Sequence, residues 1–131
     1  EQSGESEFRR IESEVLAELL RCPEQVIATG GGAVLLPENR DLMRTAGPVV
    51  WLHASAETLT KRLSRERAAA GRPSLTGRPI HLEVADVLAI REPLYRQAAT
   101  LTVHSDGESA DQVARRIFRH LSNEVRKGRG D

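Results

Sequence analysis

Phe8, Ile11, Val15, Leu16, Leu19 and Leu20 recur at steps of three and four, the apolar stripe of a helix that Pro23 ends. Val26 to Thr29 is a short apolar run suited to a strand. Pro37 opens a helix through Met43 that stops near Gly47, and Pro48-Val-Val-Trp-Leu-His53 is nearly continuous in apolar residues, as a strand buried in a parallel sheet should be. Ser55 caps the next helix, with Glu57 and Thr58 in its first turn and Leu59, Arg62, Leu63 and Glu66 along it. From Ala68 to Pro79 the period is broken by Gly71, Pro73, Gly77 and Pro79, which predicts a mobile loop or lid. Leu82, Ala85, Val87, Leu88 and Ile90 begin a helix reaching about Ala98, with Pro93 as a kink or break. Thr100 to His104 is a third strand, Ala110 to Val125 a last amphipathic helix, and Arg126 to Asp131 a polar tail. Helices alternating with short apolar strands predict an α/β domain over residues 1–125 with a parallel sheet, and not a bundle.

Composition narrows the function. At 131 residues with zero formal net charge, the chain is one domain or part of one, and its charge balance argues against a nucleic-acid or anionic-membrane binder. Seventeen of its 19 basic residues are arginine, only Lys61 and Lys127 being lysine. Arginine suits bidentate capture of carboxylate and phosphate, although a GC-rich genome raises arginine with no functional demand. Cys22 is the single cysteine, which leaves no disulfide framework and makes a reducing, cytoplasmic location the natural one. No apolar run approaches the roughly 20 residues of a membrane span.

The chemistry concentrates at Val26 to Val34, VIATGGGAV. An apolar run that breaks into three glycines and resumes apolar reads as a strand, a loop and a helix start. Gly30, Gly31 and Gly32 can take positive φ and let backbone N–H groups approach a ligand oxygen. An ordinary tight β-to-α turn is the competing reading. No G-x-x-x-x-G-K-[ST] occurs among these residues, so the triple glycine is not a nucleotide P-loop. His53, His81, His104 and His120 are dispersed without metal-ligand spacing, so no metal site is expected. Asp106 and Asp111 read as turn and helix-start residues.

Five segments, Gly4-Glu-x-Glu-Phe-Arg-x-x-Glu12, Ala28-Thr-Gly-Gly-Gly-Ala-Val34, Val49-Val-Trp-Leu52, Gly71-Arg-Pro-x-Leu75 and Arg91-x-Pro-Leu-Tyr95, stand in the order and approximate spacing seen in shikimate kinases. The resemblance runs from Gly4 to about Leu121. It implies a three-layer P-loop kinase-like fold with helices on both faces of a parallel sheet ordered 2-3-1-4-5. The strands here then correspond to the third, fourth and fifth, and the sequence resembles the C-terminal two thirds of such an enzyme, without the Walker A segment and the catalytic aspartate that follows it. A one-strand gap, roughly 4.8 Å on each side, is expected between Val26–Thr29 and Val49–His53. The third strand should be detached, or collapsed onto the fourth.

The resemblance also assigns roles. It makes Arg9 the ligand of the substrate carboxylate, fixed by Glu12 three residues on, with Arg10 a structural neighbour. Gly31, shaped by Gly30 and Gly32, and Arg91 complete the acceptor site, and Tyr95 is read as packing. Arg72 matches the lid arginine that stabilises the transferring phosphoryl group and contacts ATP. Ala68 to Gly71 lengthens that lid. Arg62 resembles the arginine that stacks on adenine, and Glu108 lies in the adenine-contacting turn His104 to Ser109. The implied reaction is ATP-dependent phosphorylation of the shikimate 3-hydroxyl, in aromatic amino-acid biosynthesis, with Mg2+ held by a residue outside these 131 and a monomer as the working form. Another small-molecule P-loop kinase, such as a gluconate kinase, and a noncatalytic ligand- or partner-binding module are the alternatives.

Overall fold

The computed structural model describes residues 2–71 and 77–130. Its elements are α1 (Gln2–Leu20), a short 3-10 helix (Ala33–Leu35), α2 (Pro37–Ala46), β1 (Val50–His53), α3 (Ala56–Ala70), α4 (Ile80–Ala98), β2 (Leu101–His104) and α5 (Ala110–Gly128). Local signals place most boundaries. Pro37 begins α2, the Ser55 side chain accepts from Thr58 N at the start of α3, and Ser109 with Gln112 forms a reciprocal capping box on α5. Gly71, at φ 63°, ends α3 in the left-handed region that favours glycine.

β1 and β2 pair in parallel, in register from Val50 opposite Leu101 to His53 opposite His104. Thr100 N and Leu101 N both donate to Val49 O, at 2.8 and 3.1 Å, and Ser105 N donates to His53 O at 2.8 Å. The pairing therefore runs slightly past both strands. Beneath the triple glycine, Leu16, Val34, Met43 and Ala98 form a buried cluster, with Leu20, Ile27, Val49, Leu94 and Tyr95 against it. No described helix is long and apolar enough to cross a membrane.

Several expectations are corrected. Val26–Thr29 is not a strand: the sheet of the described residues has only β1 and β2, and the Val26 side chain stands in solvent. A strand is specified by its neighbour as much as by its own residues, and none lies beside this segment. Val26–Thr29 and β1 instead line an open cavity of about 970 Å³, together with residues of α3, α4 and α5 that include Leu63, Leu88 and Ile117. The run is thus detached, the first of the two outcomes expected for the gap. α4 continues through Pro93, at the cost of one intrahelical N–H, so that proline neither breaks nor ends it. Ala68–Ala70 belong to α3 and not to a lid; residues 72–76, including Arg72, lie outside the described residues. Helix α5 extends to Gly128, where Arg126 and Lys127 suit the negative end of the helix dipole, so the first half of the expected tail is helical.

Candidate functional site

Arg9 lies on α1, and its guanidinium is held from both sides along the same helix. Glu12 accepts from Nη1 at 2.8 Å and Glu5 from Nη2 at 3.3 Å. Arg9 and Glu12 are both largely buried, with side chains 18% and 16% exposed, so this pair is shielded from water in a way that most helix-surface pairs are not. The Glu12 hydrogen bond raises the Arg9 pKa above its ordinary value, and the cation is permanent. Its Nε is buried with no acceptor. Arg10 instead faces solvent and spends its charge on Glu7 and Glu14.

The glycines stand against these side chains one by one. A Cβ on Gly30 would lie 3.2 Å from Glu12 Oε2, one on Gly31 would lie 2.9 Å from the Tyr95 hydroxyl and 3.2 Å from Arg91 Nη1, and one on Gly32 would collide with the Arg9 guanidinium. Positive φ is not the reason for them, since among the described residues only Gly71, Gly77, Gly107 and Glu24 adopt it. Close approach is the reason. The structure thus brings Arg9, Gly30, Gly31, Gly32 and Arg91 together.

Three residues that fix this loop are not found by sequence reasoning. The Tyr95 hydroxyl donates to Gly31 O at 2.8 Å, so a residue read as packing also anchors the glycine backbone. Asn39, buried, donates through Nδ2 to Ala33 O at 3.0 Å, and Arg40 donates to Val34 O at 2.7 Å. The available signal for Asn39 was a polar residue on the same face of α2 as Leu36 and Met43, a place where a polar group needs a dedicated partner.

A second group gathers at the C-terminal ends of β1 and β2. Arg62 of α3 donates to Ser105 Oγ at 3.2 Å and to Ser105 O at 3.0 Å. Glu108 pairs with Arg116 at 3.0 Å, and Arg116 also donates to His104 O. Arg62 and Glu108 therefore meet one loop, but each already has a protein partner. Asp106 does more than turn the chain: its Oδ1 accepts from Thr58 Oγ1 at 2.6 Å, from Ser55 Oγ at 2.9 Å and from Ser55 N at 3.0 Å. Those bonds, that of Thr58 foremost, hold its carboxyl well below the ordinary carboxylate range.

The cavity connects the two groups, since Gly30, Gly31 and Tyr95 line it together with Arg62 and Glu66. Arg67 of α3 and Glu83 of α4 form a largely buried ion pair at 2.9 Å, on either side of the undescribed segment in sequence. Among the described residues no three His, Cys, Asp or Glu side chains stand close enough to hold a metal ion. The Arg9 end thus offers a fixed cation, a neighbouring second arginine and closely approached backbone, a setting for a small carboxylate with hydroxyl groups.

A family model described as shikimate kinase matches residues 1–122. The chain is 45% identical over 128 residues to shikimate kinase 2 of Yersinia pestis (strain Pestoides F), covering 97% of this chain and 72% of that protein. It is 46% identical, with the same coverage, to shikimate kinase 2 of Yersinia pseudotuberculosis serotype O:3 (strain YPIII). A solved shikimate kinase from Acinetobacter baumannii, in complex with shikimate, superposes with a TM-score of 0.82 at 34% identity, over 93% of this chain and 66% of that one.

Proposed function

The chain belongs to the shikimate kinase family, and we propose that it contributes the acceptor side of a reaction in which ATP phosphorylates the 3-hydroxyl of shikimate. One observation carries the assignment. The Arg9 guanidinium, fixed by Glu12 and Glu5, lies so close to Gly32 that a Cβ there would collide with it, and Arg91 lies in the same way against Gly31. The carboxylate of shikimate would meet Arg9 beside this closely approached backbone, and Arg91 would bind a second polar group of the same molecule. Rigid mounting matters because phosphoryl transfer is chiefly positioning and charge stabilisation. The hydroxyl oxygen forms the new bond to the γ-phosphorus as the bond to the β–γ bridging oxygen breaks, and the acceptor must be held while it does so.

On the nucleotide side we assign Arg62 and the Glu108 turn to the adenine and Arg72 to the transferring phosphoryl group. Support for the first two is their convergence on the β2–α5 loop. Magnesium would supply charge stabilisation at the phosphates when bound. The described residues include no cluster suited to it, and none is assigned as its ligand. A cytosolic monomer completes the reading.

Calorimetric titration of shikimate, with gluconate as the competing acceptor, tests the proposal. Shikimate should bind and gluconate should not; preference for gluconate, or no shikimate binding to the folded protein, overturns it. In a coupled ADP-release assay the 131-residue chain alone should give no turnover, because neither its glycine loop nor any other segment of it has the P-loop pattern.

A further inference from the structure

His53 and His104 are 51 residues apart in sequence, yet the in-register pairing of β1 with β2 sets them side by side. Their Nδ1 atoms are 3.1 Å apart and their ring centroids 4.6 Å apart. Both rings sit at the C-terminal edge of the parallel pair, the edge along which open α/β sheets present ligands. We infer that this pair is a two-imidazole site for a divalent transition cation of borderline softness, with Zn2+ and Cu2+ as its representatives.

The geometry fits that class. With metal–nitrogen bonds of about 2.05 Å, a 3.1 Å separation of the nitrogens corresponds to an angle of about 98° at the metal, between square-planar and tetrahedral values. In the metal-free protein one Nδ1–H can point at the other Nδ1. Binding needs that ring to move its proton to Nε2, which leaves both imidazoles neutral, and needs both rings to turn so that their lone pairs converge. The histidine χ2 torsion is soft enough to allow this. The surrounding charge is balanced, since Arg62 and Arg116 are matched by Asp106 and Glu108. No third His, Cys, Asp or Glu of the described residues joins the pair, so water fills the remaining positions and the metal exchanges. Hard Mg2+ prefers oxygen ligands, which separates this site from the magnesium of a kinase reaction.

Trp51, the chain's one tryptophan, stacks edge-on to His53 with centroids 4.9 Å apart, and reports on the site directly. Cu2+ titrated at neutral pH should quench Trp51 fluorescence with saturation at one ion per chain. Electron paramagnetic resonance of that sample should show coupling to two imidazole nitrogens. Excess Mg2+ should not reverse the quenching, whereas Zn2+ should compete. His53→Gln and His104→Gln should each weaken binding by about tenfold or more, and His120→Gln should leave it unchanged. Quenching that is non-saturating, or a spectrum with one nitrogen, or equal affinity in all three variants, overturns the site. The wild-type spectrum decides the matter even if a variant fails to fold.

Discussion

At Arg9 the guanidinium is held by a glutamate three residues away on the same helix, whereas at Arg62 it is held by Ser105, 43 residues on. The first arrangement forms with the helix. The second exists only once β1 and β2 have paired and the loop after β2 has folded back. Burial divides less sharply. The glycine loop rests on Leu16, Val34, Met43 and Ala98, although Phe8, Ile11, Val15 and Leu19 of α1 are exposed; in and after the strands Val103 and Ala54 are buried, as is Val113 of α5, while Leu52 and Phe118, the latter 73% exposed, are not. Acceptor groups are thus mounted on a loop with a buried cluster beneath it, and nucleotide-side groups on a two-stranded sheet flanked by a helix with an exposed phenylalanine, one cavity bordering both.

The largest expected effect tests that contrast in packing. Met43→Ala removes a buried side chain from beneath the glycine loop and should cost about 2–5 kcal/mol. Phe118→Ala removes a larger but exposed one and should stay within about 0.5 kcal/mol. Urea unfolding midpoints measure both. Similar losses in the two variants would mean that α5 is packed as firmly as the helical layer, and the contrast would fail.

Next in size is the chemistry at Arg9. Arg9→Ala should weaken shikimate binding by about 1.5–3 kcal/mol, the worth of a charge-assisted contact, while Arg10→Ala, which removes only pairs with Glu7 and Glu14, should leave it unchanged. Gly32→Ala should act like Arg9→Ala, since its Cβ displaces the guanidinium while its backbone, at φ −86°, accepts alanine without strain. Equal losses for Arg9→Ala and Arg10→Ala in calorimetry would refute the mapping.

Legibility in the sequence follows the same division. Arg9 with Glu12, the glycines and the cap at Ser55 are short-range relations, and periodicity or motif spacing reveals them. The parallel pairing of β1 with β2 was readable as a class. Val26–Thr29 was misread because its composition suits a strand while pairing depends on a neighbour. The roles of Tyr95, Asp106 and the His53–His104 pair were hidden for a related reason: each meets partners between 48 and 64 residues away, and nothing local marks them. Pro93 shows the converse: of the kink or break that this local signal suggests, the break does not occur, in a helix that runs on to Ala98.

The smallest effect expected is at Asp106, and it carries a pH signature. Its carboxylate accepts three hydrogen bonds from Ser55 and Thr58 and so ties the start of α3, the helix of Arg62, to the loop after β2. Because its folded pKa lies below the ordinary 3.8, ionised Asp106 stabilises the fold at every pH above that value. The contribution is lost as pH falls from there through the depressed folded value. Asp106→Asn keeps the shape but not the charge. Its melting temperature should therefore lie below that of the unsubstituted protein by a constant amount from about pH 7 to pH 5, and the gap should narrow once pH drops below about 3.9, where the unfolded carboxyl protonates. Shikimate affinity should not change, because Arg9 and Arg91 belong to the other end of the molecule. A gap that persists undiminished at low pH would show that the carboxylate charge is not its source. A loss of shikimate affinity would show that the two ends are coupled through the cavity they share.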